Sequence, residues 1–177
     1  MRNSSRLWQL AGFIFTSVFG TLLHFAYDWS GGSLFFAPFS AVNESIFEHM
    51  KLLFFPMFVF SFIQNNFSKE KPKNFWCVKL KGSFVGFTLI PLLYYTYTGI
   101  LGTSADWFNI TIFFIASAAA YITEAKKLNH TKPCIISETA SFIILCIIGL
   151  SFIILTFCPP HIPLFQDPQS LTFGIIK

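Results

Sequence analysis

Five stretches of the chain are long and apolar enough for a membrane helix, which needs roughly 20 mainly apolar residues. They run over residues 7–29, 43–64, 82–102, 107–124 and 139–158. The first, third and fifth are clear. The second opens on polar residues and becomes apolar only after Lys51. The fourth is short and rich in small residues from Ala116 to Ala120, which predicts a helix enclosed by its neighbours. The expected fold is all-α: an integral membrane bundle of about five transmembrane helices in a single polytopic domain, residues 1–177. The tail, residues 159–177, lies outside the bundle on this reading.

The positive charges orient it, because cytoplasmic loops carry an excess of Lys and Arg. Arg2 and Arg6 precede the first span. Lys69, Lys71, Lys73, Lys79 and Lys81 lie between the second and third, and Lys126, Lys127 and Lys132 between the fourth and fifth. With five spans, all of these fall on one side. That is ten of the twelve basic residues, so the N-terminus is expected inside and the C-terminal tail outside. Trp8, Trp29, Trp76 and Trp107 all fall near span ends, where indole rings favour the headgroup region. The first apolar run is too long for a cleaved signal peptide, and no small-x-small cleavage site follows it.

Composition agrees. Charged residues make up 11% of the 177 positions, hydrophobic residues 54%, and Phe occurs 25 times. Soluble domains carry about 25% charged residues, so a water-soluble monomer is excluded. Disorder is excluded too, since disordered chains are polar and poor in aromatics. The net charge of +4 comes from short loops, not from the broad basic face that nucleic acid requires. Membrane lipids are the expected partners, with a homo-oligomer as a further one. The four cysteines predict no disulfide framework. Cys77 and Cys134 fall in or near the inner loops, Cys146 is in mid-span, and Cys158 is alone at the outer side.

The scarce acids and histidines are not spread evenly. Gly12, Thr16, Gly20, His24 and Asp28 recur every four residues on the first helix, about 40° apart around the axis. Small residues at that spacing let another helix approach closely. His24 and Asp28 continue the stripe toward the outer face. The second span opens Asn43-Glu44-Ser45-Ile46-Phe47-Glu48-His49-Met50-Lys51, with Asn43 as expected N-cap and Glu44 in the first turn. Glu44, Glu48 and Lys51 fall within about 60° on a helical wheel. Glu48 and His49 lie about 8 Å below Asn43, and His24 about 6 Å below Asp28. The two polar clusters therefore reach similar depths from one face.

His24, Asp28, Glu44, Glu48 and His49 form one candidate constellation. His24, His49, Asp28 and Glu48 are the expected metal ligands, with zinc the first choice of divalent ion, since imidazole and carboxylate donors suit it. Glu48, Lys51, Asp28 and Glu44 are the expected acid–base or charge-stabilising groups. The plainer alternatives are an Asp28–His24 hydrogen bond and a Glu48–Lys51 ion pair on the helix. Tyr94, Tyr95 and Tyr97 read as an interfacial belt, and Asp106 as a helix cap. Pro56 and Pro91 lie within spans. The tail is too rich in proline for a helix and too apolar for a free linker. It is expected to fold back over the outer face, with His161 or Asp167 near the constellation.

The stretch Leu23-His24-Phe25-Ala26-Tyr27-Asp28-Trp29, the Pro38-Phe39-Ser40 segment running into Asn43-Glu44-Ser45…Glu48-His49…Lys51, and the ending Pro163 to Ile175 resemble a family of small polytopic bacterial membrane proteins of unknown function. The resemblance covers nearly the whole chain. It implies a multi-pass protein of the bacterial inner membrane and carries no activity. On the residues themselves, the expected function is that of a membrane-embedded, metal-assisted hydrolase or transferase acting on a lipid or other amphiphile at the outer face. The alternatives are an ion- or small-molecule-binding or transport protein and a structural membrane subunit.

Overall fold

The structure is a computed structural model and describes residues 2–68, 72–128 and 134–175. Lys69, Glu70, Lys71, His130, Lys132 and Ile176 lie outside the described residues. Five helices carry the fold: α1 (Arg2–Trp29), α2 (Ile46–Phe67), α3 (Phe75–Leu101), α4 (Asp106–Leu128) and α5 (Glu138–Phe157). A 3-10 turn, Pro163–Phe165, follows, and one isolated antiparallel bridge pairs Gln166 with Phe173. All five helices are long and apolar enough to cross a membrane.

The apolar pattern sets the packing. Two thirds of the apolar window of α2 is buried, against 17% for α1, so α2 is the central helix. Around it the neighbours run α1, α4, α3, α5, with α1 against α4, α4 against α3 and α3 against α5. The outward faces are apolar, as lipid requires. On α1, Leu7, Leu10, Ile14, Val18, Leu22 and Phe25 form an exposed stripe at helical spacing.

The opposite stripe of α1 is where the small residues are needed. A Cβ on Gly20 would come within 2.5 Å of the Phe113 ring and 3.0 Å of the Leu52 carbonyl oxygen. One on Gly12 would run into Tyr121 and Phe60. Thr16 makes a 2.8 Å hydrogen bond with the Tyr121 hydroxyl. The four-residue spacing thus presses α1 against both α2 and α4, and His24 continues it. Asp28 does not: its side chain is exposed.

Helix starts differ from the sequence expectation at two places that matter later. The N-cap of α2 is Ser45, not Asn43, so Glu44 precedes the helix. The third helix starts at Phe75, seven residues earlier than its apolar run. Lys79 and Lys81 are therefore helical residues, and Lys79 is buried.

The expectation of no disulfide is overturned. Cys77 and Cys134 are bonded across 57 residues. The α3–α4 hairpin returns the chain to the end where it began, and the Glu138 carboxylate accepts from the backbone N–H groups of Trp76 (2.8 Å) and Cys77 (3.3 Å). This caps α3 and draws the start of α5 against it, a tertiary contact that cysteine spacing does not encode. Cys146 and Cys158 are free.

The tail folds back as expected. The Phe165 ring lies 4.3 Å from that of Phe47 on α2, and Ile175 packs on Tyr27, Ala37 and Val42. Asn43 Nδ2 donates to the Gly174 carbonyl at 2.9 Å.

Candidate metal centre

The loop joining α1 to α2 places the polar residues. Its Ser40 hydroxyl donates to the Leu23 carbonyl and accepts from the Tyr27 N–H, which ties the loop to the last turns of α1. Asn43 Oδ1 accepts from the Ser45 N–H at 2.9 Å, a tight side-chain turn of the kind Asn favours. Glu44 lies inside this turn, off the helix. Its carboxylate is thereby free of the α2 wheel and reaches sideways.

It reaches both histidines. Glu44 Oε1 is 3.8 Å from His24 Nε2, and Glu44 Oε2 is 3.6 Å from His49 Nε2. The three donor atoms of His24, Glu44 and His49 all lie within 4.8 Å of one another. The site opens on one side, with Glu44 the most exposed member and His49 the least.

The hydrogen-bonding pattern is informative. His49 Nδ1 is 2.9 Å from the Ser45 carbonyl oxygen. A carbonyl only accepts, so Nδ1 carries the proton. Nε2, on the other side of the ring, is then left to face the Glu44 carboxylate at 3.6 Å, and both are groups able to ligate a metal ion. A backbone carbonyl on the far ring nitrogen is also how metal-binding histidines are commonly oriented. His24 Nδ1 is buried with no hydrogen-bond partner among the described residues.

Glu48 and Lys51 are not part of this cluster. They form a 2.5 Å ion pair one turn apart, with both side chains almost fully buried. Glu48 Oε2 also accepts from the Val42 N–H at 3.2 Å. Lys51 Nζ donates to the Ala37 carbonyl and to Thr156 Oγ1, both at 2.9 Å. The pair pins the loop to α2 and α5. The single constellation expected from the helical wheel therefore divides in two. Glu48 is turned inward as the partner of Lys51, and Asp28 is exposed near the end of α1 and outside the cluster. The residues brought together are His24, His49 and Glu44.

The other expected contributors stand apart. His161 stacks on Phe173 with ring centroids 4.7 Å apart. Asp167 Oδ1 accepts from the backbone of Gln169 at 2.8 Å and so shapes the tail's own turn. Tyr94 and Asn109 line a void of about 10 Å³ beside His49, room for about one water, and the Tyr97 hydroxyl donates to Asn109 Oδ1 at 2.5 Å.

One buried ion pair had no sequence signal. Lys79 on α3 and Glu124 on α4 meet at 2.5 Å, both almost fully buried, in the half of the bundle away from the histidines. From the sequence, Lys79 was counted among the charges between the second and third spans. A charge counted as part of a loop cannot be recognised as a core residue until its partner on another helix is placed.

The fold and the cluster define a multi-pass helical protein with a histidine–carboxylate site at one end of its bundle. The chain belongs to the family of unknown function DUF6512, whose model matches residues 1–175. No curated protein and no solved structure matches it.

Proposed function

We propose that this protein is a membrane-embedded, metal-dependent hydrolase or transferase, with a divalent ion, zinc first, held by His24, His49 and Glu44. The observation that carries this reading is the convergence of two imidazole Nε2 atoms and one carboxylate within 4.8 Å. Two histidines and a glutamate are a donor set that catalytic zinc uses with a fourth position left open. A metal held there would lower the pKa of a bound water and polarise a carbonyl or phosphoryl oxygen. Exposed Glu44 marks the open side.

The depth of the cluster supports a substrate class. His24 lies five residues before the end of α1, or about 7.5 Å along the axis. Chemistry at that level, on a bundle with apolar outer faces, suits an ester or phosphoester at the junction of a polar head and an apolar chain. Glu48 and Lys51 neutralise each other in the interior and serve here to hold the loop. On the charge bias we assign the basic end to the cytoplasm and the histidine end to the outer leaflet of a bacterial inner membrane.

A second reading is binding or transport of a cation. The buried Lys79–Glu124 pair favours it, because ionisable groups within spans often line ion or proton paths. Metal analysis of the purified protein, followed by hydrolysis assays on lipid esters and phosphoesters, separates the two. The enzyme reading expects about one metal per chain, lost in His24→Ala and His49→Ala, and turnover lost with it. Metal retained in both variants defeats the shared site. Metal bound, no turnover, and uptake of the ion into vesicles selects transport.

A further inference from the structure

The two bonded cysteines at the basic end of the bundle have unlike surroundings. Cys77, in the first turn of α3, is fully buried at 0% exposure. Cys134 is half-buried on the non-helical segment that leads into α5, and residues 135–137 after it are exposed. In the reduced pair, a small oxidant from solution therefore meets the Cys134 sulfur first.

Charge singles out the same cysteine. Lys81 Nζ donates to Cys134 Sγ at 3.4 Å. A lysine beside a sulfur favours the thiolate, which is the reactive form. At the start of α3, the N–H groups of Trp76 and Cys77 already hold the Glu138 carboxylate, which fills the anion site that a helix start provides. That carboxylate also ties the beginning of α5 to α3 without help from the sulfur bridge. The Cys77–Cys134 bond can thus open and close while the two sulfurs stay within reach.

We propose that Cys134 is a hydroperoxide-reactive thiol and that Cys77 resolves it. The Cys134 thiolate attacks one oxygen of the peroxide and the O–O bond breaks. The leaving hydroxide or alkoxide takes a proton and departs as water or alcohol. Cys134 is thereby oxidised to the sulfenic acid and the peroxide is reduced. The Cys77 sulfur then attacks the Cys134 sulfur. The S–O bond breaks, the oxygen leaves as water with the Cys77 proton, and the disulfide forms. A dithiol reductant reverses the bond by exchange and is itself oxidised to a disulfide. Lys81 holds the negative charge on Cys134 before the first step. The pair lies at the end of the bundle away from the histidines and does not rest on the enzymatic reading.

The test is hydrogen peroxide added to the full-length, detergent-purified protein, reduced beforehand and kept from air. Dimedone traps sulfenic acids, and peptide mass spectrometry locates adducts and disulfides. Wild type is expected to convert to the Cys77–Cys134 disulfide. In Cys77→Ser the dimedone adduct should accumulate on Cys134, and in Cys134→Ser it should not accumulate on Cys77. Adding Lys81→Gln to Cys77→Ser should slow the Cys134 adduct by about tenfold, and Lys81→Arg in its place should restore the rate. Thermal melting checks that each variant is folded. A rate unchanged by Lys81→Gln overturns the proposal, and so does failure of Lys81→Arg to restore it. An adduct on Cys77 formed as fast as that on Cys134 also overturns it. So does a wild type in which Cys134 proceeds to the sulfinic acid in place of the disulfide.

Discussion

The imidazoles of His24 and His49, from two different helices, stand with ring centroids 5.5 Å apart and share one carboxylate, that of Glu44. A ligand that binds only the folded protein stabilises it by mass action, by about 2.7 kcal/mol at a hundredfold excess over Kd. Zinc titrated into the metal-free protein is therefore expected to raise the melting temperature. The rise should vanish in His24→Ala and in His49→Ala. A rise of the same size in either variant would place the metal elsewhere.

The buried Glu48–Lys51 pair predicts a non-additive result. Lys51→Met strands a carboxylate inside the bundle and should cost about 3–5 kcal/mol. Adding Glu48→Gln removes the stranded charge while its amide oxygen still accepts from the Val42 N–H, so the double variant should recover much of the loss. Thermal or denaturant unfolding in detergent reads both. Neither variant should lose zinc if it folds, which separates this pair from the histidine cluster.

Two glycines should respond with opposite sign. A methyl on Gly20 meets the Phe113 ring and the backbone of Leu52, and overpacking of this kind costs about 1–3 kcal/mol. Nothing lies within 4 Å of a Cβ on Gly99, where alanine gains about 0.5–1 kcal/mol of helix preference. Melting curves of Gly20→Ala and Gly99→Ala should bracket the wild type.

The Cys77–Cys134 bond and the basic residues around it disagree about compartment. Lys and Arg mark a cytoplasmic end, and disulfides rarely persist there. The charge bias is the stronger signal, because it rests on many residues. The pair is thus expected as two thiols in the growing cell and as a disulfide after exposure to air. Acid trapping followed by alkylation of the unfolded protein measures this directly. A disulfide already present at trapping would put the basic end on an oxidising side and reverse the assigned orientation.

The five helices were legible because lipid imposes a length and a polarity that a single chain must satisfy alone. Gly12, Gly20 and His24 likewise announced the packed face of α1 by their spacing. The site was only half legible. His24 and His49 were readable as a facing pair, since their depths could be counted along two helices. Glu44 was misplaced because helical-wheel geometry was extended two residues too far: with Ser45 as N-cap, Glu44 leaves the wheel it seemed to share with Glu48 and Lys51. Lys79 was hidden for a different reason. Its burial is made acceptable by Glu124, 45 residues away, and no local pattern encodes a partner at that distance.

Lys51 also sets a condition on the order in which the protein can be completed. Of its partners, Glu48 and the Ala37 carbonyl are made early, whereas Thr156 is synthesised 105 residues later. Until α5 arrives, the central helix presents an ammonium group whose enclosure is unfinished. A chain that stalls after α4 keeps the Glu48–Lys51 pair but leaves Lys51, in the second turn of the central helix, one hydrogen-bond partner short. In such a fragment Phe54 and Phe55, which pack against Phe152 of α5, are uncovered as well.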